Sequence, residues 1–585
     1  MRGRELNHIS MNTKSLPSTK KIKRIRSVFI GIVIFLLFVS GAGFIAGYFY
    51  FGKIIKSRLI EIIKQESKGL YRADIGSLYL NVINGNLTVR DLKLIPDTLF
   101  YRGQVNQDAL SPLLFRLKID RFKVENFHIL KAILHGNIEM TRIDFTAPEI
   151  SIYRMKSSKK VKEDKPEQKL LSIPLPKGWN SISIRDIEFK KGTFDFYDFS
   201  GDSVTHQSIL SYSIIIKNIL VDSVHKGKMR LFNAEDIVIK LNGISLRTKN
   251  GLNILSFGEI CLSTGSNSAW VKNFHLVPQY DRYEYTRKFG FQTDRLDIMI
   301  PMLRVERFNL RELILRRKIL AGLVEVDGMV LDDYRDKRIP RKPGFKPPMP
   351  QDLLRKYTNY LKIDTILLRN GKATYSEQIA NEPGRISFDK INTIFTGLTN
   401  DSVLLQTGLV SELKGNAYLM GKGKLDATIR FNLGDKKNSF SFSASLGPMD
   451  FSEINPMLSK LQPVKVTGGK IRKIEVPFVM ANDDIAIGKL LFYYNDLSFD
   501  MKQKNESTWN SIKTGVINFV VGKLIVNKDN PNESDKMKTG VIYFKRDKTK
   551  GIINLIWKSI FTGIKSTLGF NSKEQKAMKK SDKKR

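Results

Sequence analysis

Cysteine, histidine and acidic residues are all scarce in this chain of 585 residues. Its single cysteine, Cys261, excludes an intramolecular disulfide and leaves the redox compartment undecided. The six histidines show no metal-ligand spacing such as HExxH, so we expect no metal site. Acidic residues number 58 against 97 Lys and Arg, which gives a formal net charge of +39. That excess of positive charge favours an anionic partner.

Catalytic and cofactor motifs are also missing. No GxSxG elbow, paired-carboxylate motif or glycine-rich dinucleotide turn occurs in a fitting context. Residues 47–54 nearly match a phosphate loop but lack the Ser or Thr that would bind magnesium. We therefore expect no cofactor and no enzyme activity, with an envelope hydrolase of unrecognised site as a minor alternative. No zinc-knuckle, helix-turn-helix or RNP-type pattern supports nucleic acid, so membrane phospholipid is the expected anionic partner.

An uncharged run near the start of the chain predicts a membrane anchor. Residues 1–27 form a basic tail, and residues 28–51 carry no charged side chain. As a helix this run would be about 36 Å long, enough to cross a bilayer, so 28–52 is the predicted transmembrane segment. A cleaved signal peptide is the alternative, because Ser40-Gly41-Ala42 resembles a cleavage site. The basic tail places the N-terminus in the cytoplasm and the remaining chain across the membrane.

Most of the remaining chain alternates apolar and polar residues with a period of two, which predicts β-strands. In several strands the alternation slips by one residue at a polar position, as it does at Asp91 in LTVRDLKL. Such a slip turns later side chains to the other face unless a β-bulge or a bend absorbs it. Repeated slips predict a long antiparallel sheet that curls into a groove, and an ordinary large sheet is the alternative. The slipped stretches are 87–94, 122–129, 182–189, 214–221, 303–310, 361–368, 492–499 and 519–526.

The sequence contains an internal duplication. Residues 75–223 align with 257–402 at offsets that drift only from 182 to 179, so that Tyr153 matches Tyr334. A sparse but nearly constant match of this kind is typical of tandem structural units. The predicted β segments are a first repeat unit at 71–223, a second at 224–402 and a C-terminal β region at 403–545.

Short amphipathic helices are predicted at both ends of the strand region. One, at 53–70, follows the anchor and ends near Gly69. The other, at 546–570, repeats isoleucine every fourth residue from Ile552 and precedes a basic tail at 571–585. A helix and tail of this kind are typical of an anionic membrane surface, and a helix docked on the core is the alternative.

The order of these segments resembles the AsmA family of bacterial envelope proteins. The resemblance covers about residues 30–545 and is carried by INGNLTVRDLKLIP at 83–96, by the succession at 124–154, and by TGGKIRKIEVPFVM and IGKLLFYYNDLSFDM at 467–501. It implies a twisted, taco-like β-sheet with an apolar concave face, as in bridge-like lipid transfer proteins. It also implies a single-pass inner-membrane protein with most of its chain in the periplasm.

These features together predict a mainly β protein, an elongated and curled antiparallel β-groove with one N-terminal transmembrane helix. The expected function is to carry or shield phospholipids between membranes, in outer-membrane lipid homeostasis. An apolar inner face would spare acyl chains about 0.8 kcal/mol per CH₂ group kept from water. The alternative is an envelope scaffold that assists outer-membrane protein assembly, binds other envelope proteins and transports no lipid.

Apolar residues of the slipped stretches are the candidate groove liners. Because a slip can turn later residues outward, we expect about half of them to face the groove. The candidates are Leu87, Val89, Leu92, Leu94, Phe122, Val124, Phe127, Ile129, Val305, Phe308 and Leu310.

Overall fold

The described part of the chain is mainly β, with 58% of its residues in strands and 18% in helices, and its large sheet is curved. This confirms the predicted mainly β class. The predicted basic tail at 1–27, most of the predicted anchor at 28–52 and the slipped stretch at 519–526 lie outside the described residues. The computed structural model describes residues 51–97, 113–155, 175, 178–201, 204–222, 233–379, 382–461, 464–501 and 528–582, except 68, 82 and 249.

Two compact units make up the chain. Unit 1 comprises the described residues up to Ile244 and Cys261–Ser266; unit 2 comprises Ser245–Ile260 and the described residues from Asn267 onward. No helix in the ranges given above combines the length and the hydropathy that a membrane crossing requires.

Unit 1 opens with a helix that packs on the first strand and buries Leu59 and Ile63. Strands β1 to β4 pair antiparallel in chain order, β4 pairs parallel with β5, and β5 pairs antiparallel with β6. The elements are α1 (Phe51–Glu66), β1 (Tyr71–Asn81), β2 (Asn86–Pro96), β3 (Leu113–Glu125), α2 (Ile129–His135), β4 (Asn137–Arg154), β5 (Ser181–Asp198), β6 (Thr205–Asp222) and β7 (Asp236–Arg247), the last of which continues into unit 2.

Unit 2 has strands in a similar order and adds a C-terminal sheet region with four helices. The elements are β8 (Asn253–Ser263, shared with unit 1), β9 (Ser268–Pro278), α3 (Arg282–Phe289), β10 (Asp294–Glu306), α4 (Leu310–Arg316), β11 (Ile319–Asp327), β12 (Val330–Asp336), α5 (Pro350–Lys356), β13 (Leu361–Gln378), β14 (Pro383–Thr399), α6 (Ser402–Gln406), β15 (Val410–Leu419), β16 (Gly423–Asn432), β17 (Phe440–Leu446), β18 (Met449–Asp450), a 3-10 turn (Phe451–Ile454), α7 (Asn455–Leu461), β19 (Val464–Ala481), β20 (Ile485–Met501), β21 (Thr539–Lys545), α8 (Ile552–Thr567) and α9 (Lys573–Asp582).

The strand registers repeat with the offset of the sequence duplication. In unit 1, β3 and β4 pair Val124 with Ile143; in unit 2, β10 and β11 pair Val305 with Val324, 181 residues further on. In both units the next strand pairs in parallel, β5 with β4 and β13 with β11 and β12. These parallel pairs are exceptions in a sheet that is otherwise antiparallel, as predicted. They arise because connections of about twenty-five residues return the chain to the start of the preceding strand.

At most of the predicted slips in alternation, the residue at the slip has the left-handed backbone conformation. The polar residue at the slip has a positive φ at Asp91 (55°) and at Asp496 (55°). A residue in this conformation breaks the period-two alternation and bends the strand. The pairing of β2 with β1 and with β3 keeps one register across Asp91, so the neighbouring strands bend at the same place. The same conformation occurs at the slips of Asn126, Asn218 and Arg307. Asp186 and Thr365, which occupy equivalent positions in the two copies, are not left-handed.

The irregular positions line up across neighbouring strands. In unit 1, a Cβ atom on Gly76 of β1 would lie 2.9 Å from the Cβ of Asp91 on β2. Further across the sheet, left-handed Ala147 on β4 lies beside left-handed Lys191 on β5. The equivalent positions in unit 2 repeat this line, because Asn273, Gly328 and Asn370 also have positive φ. Bends aligned across the strands give the sheet its curvature.

The predicted C-terminal helix is docked on the sheet. A Cβ atom on Gly540 of β21 would lie 2.3 Å from the carbonyl oxygen of Gly563 on α8, so only glycine fits there. The backbone N–H of Val541 donates to Ser566 Oγ at 3.0 Å. The described part of the basic tail forms α9, where Gln575 Nε2 donates to the carbonyl of Val541 at 2.6 Å. Of the two alternatives for this helix, the docked one is observed.

The left-handed conformation at Asp91 predicts a contrast between two substitutions. Asp91→Val should lower the free energy of unfolding by about 1–2 kcal/mol, because a β-branched residue is strained at positive φ. Asp91→Gly should change it by less than about 1 kcal/mol, because glycine adopts this conformation freely. Urea denaturation followed by circular dichroism measures both. Equal losses in the two variants would mean that the aspartate side chain, and not the backbone conformation, matters.

Candidate functional site

One face of the unit 1 sheet is apolar from strand to strand. Residues that pair directly across neighbouring strands share a face, so the registers group side chains into rows. Three apolar rows cross strands β1 to β6, and we call this surface the apolar face of unit 1. The rows are Leu80, Leu87, Val124, Ile143, Ile187 and Ile216; Leu78, Val89, Phe122, Phe145, Phe189 and Ile214; and Ala73, Leu94, Leu117, Ile150, Phe194 and Ile209.

The left-handed conformation of Asp91 keeps both halves of β2 on this face. Arg90 and Asp91 are both exposed, and the apolar residues on either side of them are buried. The buried residues are Leu87, Val89, Leu92 and Leu94. The expectation that the slip would turn half of the candidates outward is therefore wrong for β2, because the left-handed residue restores the alternation.

The candidate liners differ in burial between the two copies. All those in unit 1 are buried, including Phe127 and Ile129, which lie where the chain turns from β3 into α2. Their equivalents in unit 2, Phe308 and Leu310, are half-buried, and so is Val305. The structure thus places the strand candidates within the rows, except Leu92, which pairs with Ile75 and Ile119 between the second and third rows. The other four lie at the strand ends.

Unit 2 carries a corresponding apolar face. Directly paired apolar residues form a first row that crosses nine strands and a second row beyond the line of bulges. We call this surface the apolar face of unit 2. The rows are Ala269, Val305, Val324, Ile366, Phe395, Leu413, Ile429, Phe442 and Val479; and Leu276, Ile298, Leu331, Ala373, Phe388 and Leu419.

This face is open along one part and filled along another. From β9 to β14 every member of both rows is only half-buried, which a closed sandwich core would not allow. At the C-terminal end of the first row, Phe442 is 3% exposed and Val479 is fully buried. There the isoleucines of α8 pack against the same cluster of buried residues. Partly exposed apolar side chains on β9 to β14 therefore form a surface that could accept an apolar ligand.

Charged residues occupy the end of the apolar face of unit 2. Continuing the alternation past Leu331 on β12 brings Asp333 and Arg335 to the same face. Arg335 forms a two-pronged ion pair with Asp294, with Nε–Oδ1 and Nη2–Oδ2 distances of 2.5 Å. On β13, Glu377 accepts a hydrogen bond from Tyr375 at 2.7 Å. Lys337 completes the group through an ion pair with Glu377 at 2.5 Å.

The environment of this cluster perturbs its titration. Burial, together with the charges of Asp294 and Asp332, raises the pKa of Asp333 to about 7, although Arg335 opposes the shift. One carboxylate oxygen of Asp333, Oδ1, is buried and has no hydrogen-bond partner. Burial also raises the pKa of Tyr375, and the charge of Glu377 adds to that effect. Perturbed groups of this kind are typical of functional sites, although structural ion networks also produce them.

Sequence reasoning missed this cluster, although the duplication contains a signal for it. In the first copy the equivalent row is Phe115, Ile152 and Phe196, all apolar. In the second copy Ile152 is replaced by Asp333 and Phe196 by Tyr375. Polar replacements within an otherwise apolar row mark the position at which the two copies diverge in chemistry.

Comparison with known proteins assigns no function to these surfaces. No protein-family model matches the chain, and no curated protein matches it. Among the residues that the structure describes, no group of His, Cys, Asp and Glu side chains is arranged to hold a metal ion.

The pKa of Asp333 predicts a pH-dependent stability. A carboxyl group whose pKa is about 7 when folded and 3.8 when unfolded stabilises the fold below pH 4. That contribution is lost progressively as the pH rises to 7. Asp333→Ile, which copies Ile152, should therefore raise the free energy of unfolding above pH 7 by on the order of 2 kcal/mol, and by less near pH 4. Thermal denaturation across this pH range measures the difference, and a pH-independent gain would contradict the assigned pKa.

Proposed function

We propose that this protein is a membrane-anchored lipid-binding groove that carries or shields phospholipids in the bacterial envelope. The observation that carries the proposal is the apolar face of unit 2, whose side chains on β9 to β14 stay half-exposed. Apolar side chains arranged in continuous rows gain free energy by covering acyl chains, at about 25 cal/mol per Å² removed from water. No bond is broken in this process, so no catalytic residues are required.

The resemblance to the AsmA family supports the same proposal. The resemblance implies a curled sheet with an apolar concave face. The curved sheet and the apolar rows of this protein agree with that expectation. We therefore place the protein in the inner membrane, with its N-terminus in the cytoplasm and units 1 and 2 in the periplasm.

The direction of α1 supports an anchor at one end of unit 1. At the end of this helix, the N–H of Tyr71 donates to Ser67 Oγ at 3.1 Å, and near its start Lys56 Nζ donates to the carbonyl of Gly76 at 3.4 Å. The helix therefore runs antiparallel to β1, and its first residue, Phe51, lies on the side of the turn that joins β1 to β2. The uncharged run 28–51 ends at this point.

Exposed apolar side chains cluster at that same end. The N–H of Phe127 donates to the carbonyl of Gly85 at 3.0 Å, which holds the β1–β2 turn beside the start of α2. Four large apolar side chains at this tip face solvent: Ile83 (91% exposed), Leu130 (62%), Ile133 (54%) and Leu134 (71%). In our proposal this tip meets the bilayer that holds the anchor, since buried apolar side chains and an anchor together stabilise membrane contact.

Two neighbouring residues on β13 test the groove. Ile366 belongs to the first row, and Leu367 points to the opposite face of the same strand; both are half-buried. Ile366→Asp should remove most of the phospholipid that co-purifies with the chain, because a carboxylate in the path of an acyl chain is costly to desolvate. Leu367→Asp should retain it. Quantitative lipid analysis of the purified wild-type protein and of both variants measures this difference in bound phospholipid.

Loss of lipid in both variants would indicate general destabilisation, and a lipid-free wild-type protein would contradict the proposal. A lipid-free protein that captures outer-membrane assembly factors would instead support the scaffold function.

A matched pair of probe positions tests the membrane contact. Ile133 on α2 and Ile314 on α4 are equivalent in the two copies and are both exposed. In a Cys261→Ala background, a fluorophore on Ile133→Cys should be quenched by spin-labelled lipids in proteoliposomes. The same fluorophore on Ile314→Cys should not be quenched. Equal quenching at both positions, or none at Ile133, would contradict the proposed contact.

A further inference from the structure

Four cationic side chains converge at the charged end of the apolar face of unit 2. The connection from β12 to α5 supplies Lys337 and Arg341, the turn before α8 supplies Lys550, and α8 itself supplies Lys558. Arg341 Nη1 donates to Thr549 Oγ1 at 2.9 Å, which places Arg341 beside the turn that contains Lys550. We call these four residues the basic cluster.

A buried arginine holds the two segments together. Arg546 Nη2 donates to the carbonyl of Pro347 at 2.9 Å and to the carbonyl of Lys550 at 3.2 Å. Its side chain is only 4% exposed and also pairs with Asp483. The position of the basic cluster is therefore fixed by backbone contacts that do not use its own charges.

The basic cluster has more positive charge than its neighbours neutralise. Glu377 pairs with Lys337, and Asp294 pairs with Arg335. Within the described residues, Lys550 and Lys558 form no ion pair. Burial, together with the charges of Lys337 and Arg341, lowers the pKa of Lys550 to about 8, and the charge of Asp547 opposes the shift. Burial likewise lowers the pKa of Lys558, and Lys337 contributes to that shift.

The amino end of α8 adds to this potential. The residue before the helix, Gly551, offers no side-chain cap, and the first turn contains no acidic residue. Neither the cap nor the first turn therefore offers a negative side chain to the positive end of the helix dipole next to Lys550. Uncompensated cations at the end of an apolar surface match the chemistry of a phospholipid, whose phosphate adjoins its acyl chains.

We propose that Lys337, Arg341, Lys550 and Lys558 bind the phosphate of a phospholipid headgroup whose acyl chains lie along the apolar face of unit 2. This inference rests on the proposed lipid-binding function and adds a headgroup site to it. Among the residues that the structure describes, the equivalent end of unit 1 carries the apolar row Phe115, Ile152 and Phe196 in place of these charges.

The test compares two monomeric short-chain lipids that differ in the phosphate. The full chain in amphipol is titrated with dihexanoylphosphatidylglycerol and with dihexanoylglycerol, and their dissociation constants are measured by calorimetry. The wild-type protein should prefer the phosphate-bearing lipid about tenfold or more. The double variant Lys550→Gln/Lys558→Gln should lose that preference and still bind dihexanoylglycerol.

The matched control lies on the same helix. Lys565 of α8 is also half-buried, and burial lowers its pKa. It lies seven residues beyond Lys558, whose pKa its charge lowers slightly. Lys565→Gln should keep the preference for the phosphate-bearing lipid. Lys550→Gln alone, a substitution in a turn outside the helix, should weaken the preference even if the double variant fails to fold.

Each other outcome overturns the headgroup site. Binding of both lipids without a preference would remove the site and leave the groove intact, whereas binding of neither would remove the groove as well. Loss of the preference in Lys565→Gln would show an effect of overall charge. If inorganic phosphate binds as tightly as the phosphate-bearing lipid, the basic cluster is a site for free phosphate and the lipid assignment fails.

Discussion

The structure depends on one geometric constraint: a strand that bends must keep its apolar side chains on the same face. Side chains alternate with a period of exactly two residues in any strand, so a slip of one residue would expose the apolar set of half the strand to water. Left-handed residues such as Asp91 and Asn370 absorb that slip, and both halves of the strand remain apolar on one side. Because these positions align across neighbouring strands, the device that preserves the apolar face is also the device that curves the sheet.

Both copies of the duplication meet this constraint with the same backbone arrangement, and they differ in their side chains. Both copies share the registers, the parallel crossover and the line of left-handed residues. The first copy buries its apolar rows on β2 and β3, whereas the second leaves its rows half-exposed on β9 to β14. Asp333 occupies the position equivalent to Ile152 of the first copy. It gives the end of the apolar face of unit 2 a titratable group. The apolar surface and the charged end of unit 2 therefore differ from unit 1 through substitutions, with no change of fold.

Helix α8 decides where the apolar face of unit 2 ends. Small residues on one side of this helix, such as Gly563, allow it to lie directly on β20 and β21. Its isoleucines then pack into the buried cluster that fills the C-terminal part of the face. The same placement brings Lys558 close to the charge of Lys337. One docked helix thus both closes the apolar surface and helps to build the basic cluster beside it.

Local patterns in the sequence determined the strands, the slips and the duplication, because alternation and repeat offsets depend only on neighbouring residues along the chain. The slip at Asp91 predicted a bulge or a bend, and the helix after Gly551 was predicted from its isoleucine spacing. Only the tertiary structure decided that β4 pairs in parallel with β5, that the candidates on β2 share one face, and that α8 docks through Gly563. It also brought Lys337 and Lys558, far apart in sequence, to the same end of one sheet. These features arise from contacts between distant segments, and no local pattern encodes which segments will meet.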